Sequence, residues 1–186
     1  SVFVDYAKGN WCEGLTAYLA DHLVQEQRGK GDDYRRAALQ RYASYVKDGR
    51  DFPLTEFRSR HSAATEAVGY GKALLTFHMV RRKVGDEAFR KALQALARDF
   101  RGKRATFHDL RAAFEAASGA DLSRLFADFV GRAGAPELAV SVPSVAKVEG
   151  GGWEVAVELR QTQGGSQPFA VDVPVVLQTE TGAIPK

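Results

Sequence analysis

Apolar residues recur at helical spacing through most of this chain and at alternate positions towards its end. Between residues 10 and 28, Leu15, Tyr18, Leu19 and Leu23 fall near one helical face, with Trp11 a turn earlier, and Gly29 and Gly31 end the run. A second helix is predicted to about Val46, capped by Asp32 or Asp33, with Leu39, Tyr42 and Val46 on its apolar side. Residues 48–61 hold Gly49, Pro53 and many charges and predict a loop. Ser62 opens a third helix to about Val84, with Val68, Leu75 and Met79 inward. A fourth spans about 86–100 behind a stripe of Phe89, Leu93, Leu96 and Phe100. Thr106 followed three residues later by Asp109 predicts a capping-box start for a helix ending at Gly119. Asp121 is the expected cap of a last helix to about Val130, burying Leu122, Leu125, Phe126 and Phe129.

After Gly134 the period changes. Val155, Val157 and Leu159 alternate with Glu154, Ala156 and Glu158, so residues 137–148 and 153–160 predict strands around a turn at Gly150-Gly151-Gly152. Gly164-Gly165 predicts another turn, and Pro168 to Gln178 a third strand. The fold class expected is therefore mainly α with a β tail, in two domains, 1–134 and 135–186. The tail has too few strands to close a sheet sandwich by itself, which reads as the start of a further domain. The first residues, Ser1-Val2-Phe3-Val4-Asp5, open in a strand-like segment, and Ala183-Ile184-Pro185-Lys186 follow directly on another; both ends read as cuts through a larger protein. No repeat of 20–50 residues is visible.

Charge narrows the function classes. Lys plus Arg is 26 against 23 Asp plus Glu, a net charge of +3 with only Arg35-Arg36 and Arg81-Arg82-Lys83 as dense basic spots. No basic stripe with interleaved aromatics is present, which argues against a nucleic-acid partner. Cys12 is the single cysteine, so neither an internal disulfide nor a cysteine metal cluster can form. No apolar run approaches the roughly 20 residues that span a bilayer, and the first residues lack the basic and apolar regions of a signal peptide.

The chemistry is concentrated in Asn10-Trp11-Cys12-Glu13-Gly14-Leu15-Thr16-Ala17-Tyr18. Glu13 stands among Trp11, Leu15 and Tyr18, where a carboxylate needs a partner because burying an unpaired charge is costly. A metal ion is one such partner, and catalytic zinc sites often use two His and one Glu with water. A solvated helical Glu is the alternative.

This run resembles the segment around the third zinc ligand of the zinc aminopeptidase family that includes aminopeptidase N and leukotriene hydrolase, whose pattern is Asn-Glu-Gly-Phe-Ala-x-Tyr. Gly69-Tyr70-Gly71-Lys72-Ala73-Leu74-Leu75 resembles the family's Tyr-x-Lys-Gly stretch, and Phe77-His78-Met79-Val80-Arg81-Arg82 its following helix. Gly85-Asp86-Glu87-Ala88-Phe89-Arg90-Lys91, Thr106 to Phe114, Ser118 to Leu122, and Gly134-Ala135-Pro136-Glu137-Leu138-Ala139-Val140 then fall in family order. The resemblance implies the helical half of a thermolysin-like catalytic domain followed by the first strands of a β-sandwich domain. It implies Glu13 as a zinc ligand and Tyr70 as the hydroxyl that stabilises the oxyanion. The family's H-E-x-x-H motif would lie just upstream of Ser1. The resemblance therefore implies a zinc-dependent aminopeptidase acting on peptides in the intact parent. The 186-residue chain alone is expected to be inactive and to hold no catalytic zinc, and to self-associate through surfaces left uncovered.

Three positions depart from the family pattern: Cys12 replaces Asn before the zinc Glu, Ala73 replaces Gly after Lys72, and Ala20 stands where several members have an acid, with Asp21 next to it. His22, His61, His78 and His108 show no paired ligand spacing and read as structural or exposed. Cys12 lacks a His partner for a nucleophilic role. Arg58, Arg60 and His61 form a basic knot before the Tyr70 helix, read as a solvated loop or as a contact for a substrate carboxylate. A non-catalytic helical interaction module is the competing class, and an epoxide hydrolase of the leukotriene branch a third.

Overall fold

The helical periodicity of the first 134 residues and the alternation that follows separate in space as they do in sequence. The computed structural model describes residues 1–164, 167–179 and 182–185. It divides into two units, Ser1–Gly134 and Ala135–Lys186.

In the first unit, β1 (Phe3–Val4) pairs in parallel with β2 (Arg104–Ala105). The Trp11 indole donates to the Ala105 carbonyl at 2.7 Å, which pins the start of the first helix beside this ladder. Helix α1 covers residues 11–27. It is α-helical over Trp11–Thr16, widens to a π-helical turn over Ala17–His22 and resumes over Leu23–Gln27. Helix α2 is Gly31–Tyr45. Helix α3 covers residues 63–84 and repeats the device: Ala63–Glu66, a π-helical turn over Ala67–Lys72, then Ala73–Val84. Helices α4 (Asp86–Asp99), α5 (Phe107–Ser118) and α6 (Ser123–Phe129) complete the unit. Tyr18, Val68, Phe77, Val80, Leu110, Phe114 and Leu122 form its buried centre.

Gly14 lets α1 and α3 meet, and Gly69 lets α3 pack on Phe57 of the 48–61 segment. A Cβ on Gly14 would lie 2.2 Å from the Ala73 Cβ, and one on Gly69 would lie 2.1 Å from the Phe57 ring. Neither distance is physically possible unless something shifts, so Gly14 sets how closely the two helices approach and Gly69 how closely α3 approaches Phe57. At Ala73 the family pattern has Gly; here the crossing is Gly14 on Ala73.

Ser62 and Thr106 cap α3 and α5 with reciprocal capping boxes, and Gly119 closes α5 in the left-handed conformation, as the sequence predicts. Elsewhere the boundaries differ. Neither Asp32 nor Asp33 caps α2; both lie inside its first turn, where their charge favours the helix N-terminus, and Asp32 pairs with Arg35. Asp121 precedes the cap position of α6, held by Leu122, and its carboxylate accepts from the Ser123 amide at 2.8 Å. Leu39 is 55% exposed, and Gly31 and Ala38 are the buried residues of that helix. The predicted loop 48–61 contains a short 3-10 turn at Leu54–Glu56 and buries Leu54 and Phe57, the latter against Gly69.

In the second unit, β3 (Leu138–Lys147) and β4 (Trp153–Gln161) form an antiparallel hairpin. Its register shifts between Ser141 and Ser144, around Pro143, which has no amide hydrogen for the ladder. β5 (Val176–Thr179) pairs with β6 (Gly182–Pro185). The third strand starts at Val176 rather than Pro168, since Pro168 and Pro174 remove donors along the preceding stretch. Gly165 of the expected glycine turn lies outside the described residues. Among the described residues no helix is long and apolar enough to cross a membrane.

Candidate active site

Glu13 lies in the first turn of α1, one turn ahead of its π-helical stretch, and Tyr70 lies inside the π-helical stretch of α3. A π turn inserts a residue into a helix and re-aims the side chains around it, and such turns are common at functional sites. With the glycine crossing above, it brings the two residues near one another: the Glu13 carboxylate lies close enough to raise the Tyr70 pKa, behind the effect of burial. Both side chains are half-buried. Burial, followed by the neighbouring Glu13 carboxylate, pushes the Tyr70 phenol up to about 12. Tyr70 is therefore a neutral O–H donor at neutral pH. The Arg60 guanidinium lies 5.6 Å from the centre of the Tyr70 ring and pairs with Glu66 at 3.4 Å.

The π turn of α3 is braced from below Tyr70. Lys72 is buried, and its ammonium donates to Asp51 at 3.2 Å and to the Arg132 carbonyl at 3.0 Å. The same Asp51 oxygen accepts from the Tyr42 hydroxyl at 2.6 Å and from the Gly134 amide. Burial lowers the pKa of Lys72, and Asp51 opposes that shift. A buried charge pair satisfied on this many sides fixes position more than it adds stability. Here it ties α3 to α2, to the 48–61 segment and to the end of the unit.

Further along α1, Tyr18 and His22 stack at 4.9 Å, and the Tyr18 hydroxyl meets His78 Nδ1 at 3.1 Å. Arg35 donates to His22 Nε2 at 2.6 Å, and Arg81 donates to Glu26 at 2.8 Å and to the Tyr18 hydroxyl at 3.3 Å. A guanidinium can only donate, so His22 Nε2 carries the lone pair and Nδ1 the proton, buried without a partner. Burial, then the charge of Arg35, pushes His78 down to about 4, and the same causes lower His22. Both imidazoles are neutral at neutral pH.

Among the described residues, His22, Glu26 and His78 are the group whose ligand atoms lie within 4.8 Å of one another; Glu13 is not in it. This group does not fit a zinc ion. Arg35 and Arg81 already place cationic donors on two of its three ligands, where a metal would need free lone pairs. Glu13 alone supplies one carboxylate where a catalytic zinc takes three protein ligands. These residues therefore do not by themselves hold the metal that the sequence resemblance implies.

The remaining sequence candidates separate. Arg58 donates to the carbonyls of Ala7, Thr55 and Phe57 and is a backbone brace. Arg60 faces Tyr70, while His61 is exposed beside Ser59. His108 and Cys12 are exposed. The charged network around His22 was not foreseen as a unit. Its signal was present in the i, i+4 series Tyr18, His22, Glu26, but its partners Arg35, His78 and Arg81 come from other helices.

A cavity of about 430 Å³ adjoins Tyr70, lined by α1, α2 and α3 and by Arg60. No protein-family model matches the chain, and no curated protein matches it. Among solved structures it is similar to an M1 zinc metallopeptidase mutant from Deinococcus radiodurans bound to the substrate Tyr-Ser-Ala. The identity is 28%, the TM-score is 0.53, and the match covers 71% of this chain and 29% of that one. The chain thus spans less than a third of the length of that peptidase. What the chain shares with it, at this identity and over this length, is a zinc-metallopeptidase-like fold, mainly helical.

Proposed function

We propose that this chain is part of a zinc-dependent aminopeptidase, with Glu13 as one metal ligand and Tyr70 as the donor to the oxyanion formed when water attacks the scissile carbonyl. The observation that carries this reading is the meeting of Glu13 and Tyr70. A carboxylate and a neutral phenol from two helices lie close enough for the carboxylate to raise the pKa of the phenol, each at or beside a π turn. The likeness to a zinc metallopeptidase with a bound tripeptide supports it. Bound zinc polarises the carbonyl and lowers the pKa of its water. This chain's share is one carboxylate, a preorganised O–H and the brace that holds it. The other ligands and the general base would come from outside residues 1–186, with 1–134 as the helical part of the catalytic domain and 135–186 as the start of a β-sandwich.

In the intact enzyme, Tyr70→Phe is expected to lower kcat about 100-fold or more on an aminoacyl anilide, with zinc content unchanged. Glu13→Gln is expected to lose zinc, read by elemental analysis. Residues 1–186 alone are expected to bind no stoichiometric zinc and to release no anilide. An isolated chain that did both, or an intact Tyr70→Phe enzyme with full activity, would sink the proposal.

A further inference from the structure

The cavity beside Tyr70 has a charge pattern that the zinc chemistry does not require. Three tyrosines, Tyr34, Tyr45 and Tyr70, line it together with the small residues Ala38, Ala67 and Gly71. Small residues along a groove leave room for a peptide main chain, and aromatic rings give a side chain apolar contact. Four charged groups also line it: Asp21, Arg41, Arg60 and Glu66. Arg60 and Glu66 pair with each other, and Arg60 also covers Tyr70. Asp21 lies close enough to Tyr34 to raise its pKa behind the effect of burial, and Arg41 acts on the same phenol in the opposite sense. Among the described residues, Arg41 has no carboxylate within ion-pair distance, so its planar five-donor fork is uncommitted at the wall of the cavity.

We infer that this cavity takes the C-terminal residue of a short peptide, whose free carboxylate pairs with Arg41. The inference rests on the peptidase reading above, because Tyr70 is shared: an occupant of the cavity lies against the group assigned to the reacting carbonyl. A guanidinium matches a carboxylate in two parallel hydrogen bonds, which a peptide amide cannot accept in the same way. Arg41 is thus a specificity residue that favours di- and tripeptides with a free C-terminus over long chains, whose carboxylate lies far from the scissile bond. Asp21, beside Tyr34, disfavours an acidic side chain at the anchored position.

The test is direct binding of trialanine and of its C-terminal amide to residues 1–186, by calorimetry or ligand-observed NMR at neutral pH. Trialanine is expected to bind about tenfold tighter than the amide, the usual scale of one charge-assisted contact. Arg41→Gln should bring trialanine to the level of the amide and leave the amide unchanged. Arg60→Gln, which removes a guanidinium already paired with Glu66, should keep the preference. Arg41 is exposed, and an unaltered thermal transition of the Gln variant shows that the fold is intact. Equal binding of acid and amide, binding of neither, or a preference that survives Arg41→Gln overturns the assignment. This measurement needs neither zinc nor turnover. Its failure removes the anchor alone, whereas failure of the peptidase reading is seen in the zinc content and in Tyr70→Phe kinetics.

Discussion

Tyr18, Phe77, Leu110 and Phe114 of the helical unit are at most 1% exposed, whereas Val140, Trp153 and Val157 of the hairpin unit are 46% to 64% exposed. The two sequences are comparably apolar in these stretches, so composition does not make the difference. Each helix of the first unit finds another helix for its apolar stripe. The hairpin presents one apolar face, through Val140, Val145, Val155, Trp153 and Leu159, and these residues stay 39% to 64% exposed. A two-stranded ribbon is marginal in water without a third strand or a packed layer. Periodicity states which face of an element wants burial; only the tertiary partner decides whether it gets it.

The contrast breaks most sharply where α3 packs on Phe57 and on α1. Gly69→Ala forces a Cβ to 2.1 Å from the Phe57 ring, and Gly14→Ala forces one to 2.2 Å from Ala73. Phe57 is 2% exposed and has nowhere to move. Each variant should lose about 3 kcal/mol of stability, with Gly69→Ala at least as damaging as Gly14→Ala, measured by urea unfolding of the helical signal. The near-ultraviolet signal of Trp153 in the hairpin should be unaffected at low urea. Wild-type stability in Gly14→Ala would show that the crossing has slack and that the Glu13–Tyr70 meeting does not depend on it.

Much of this architecture was legible in the chain. Thr106 with Asp109, and Ser62 at the head of α3, mark helix starts by local hydrogen bonding, and local signals survive folding. Both π turns were invisible, because the spacing of Leu15, Tyr18 and Leu23 fits α or π geometry equally well. The turn over Ala17–His22 changes which residue is buried: His22 is fully enclosed while Leu19 is 38% exposed. Glu13 and Tyr70 could be named from sequence, but their approach joins positions 57 residues apart, and no local pattern encodes it. Arg41 gave no signal at all, since an arginine on a charged helix face reads as solvated until a cavity is seen beside it.

The buried network of the helical unit should also make its stability depend on pH in a way the hairpin does not share. His78 titrates at about 4 when folded and near 6.5 when unfolded. Between those values the unfolded chain holds a proton that the folded His78 refuses, so stability falls as pH falls through that window. The full shift corresponds to about 3 kcal/mol, and His22 acts in the same direction. Arg35, Arg81, Glu26, Asp32, Tyr18 and Tyr34 surround these rings; burial first, then the charge of Arg35, keeps both imidazoles from charging. Denaturation midpoints from pH 7 to pH 4 should drop steeply in the wild type. His78→Asn should start lower at pH 7 and show a flatter slope. An unchanged slope would place the acid sensitivity elsewhere.

The smallest effect is expected in the hairpin, and it sharpens the comparison from the other side. Val140→Thr and Val157→Thr exchange a methyl for a hydroxyl on side chains that are 64% and 46% exposed. Burial contributes little at such sites, and threonine keeps the strand preference of valine. Stability of the helical unit should change by less than about 0.5 kcal/mol. Association should change more. An exposed apolar ribbon of this kind pairs with copies of itself, through its face or its free edges. Light scattering of residues 1–186 should show mass rising with concentration, and the double variant should shift that rise to higher concentration. A wild-type chain that remains monomeric at high concentration would mean that the hairpin tolerates its exposure, and that this apolar face is not adhesive.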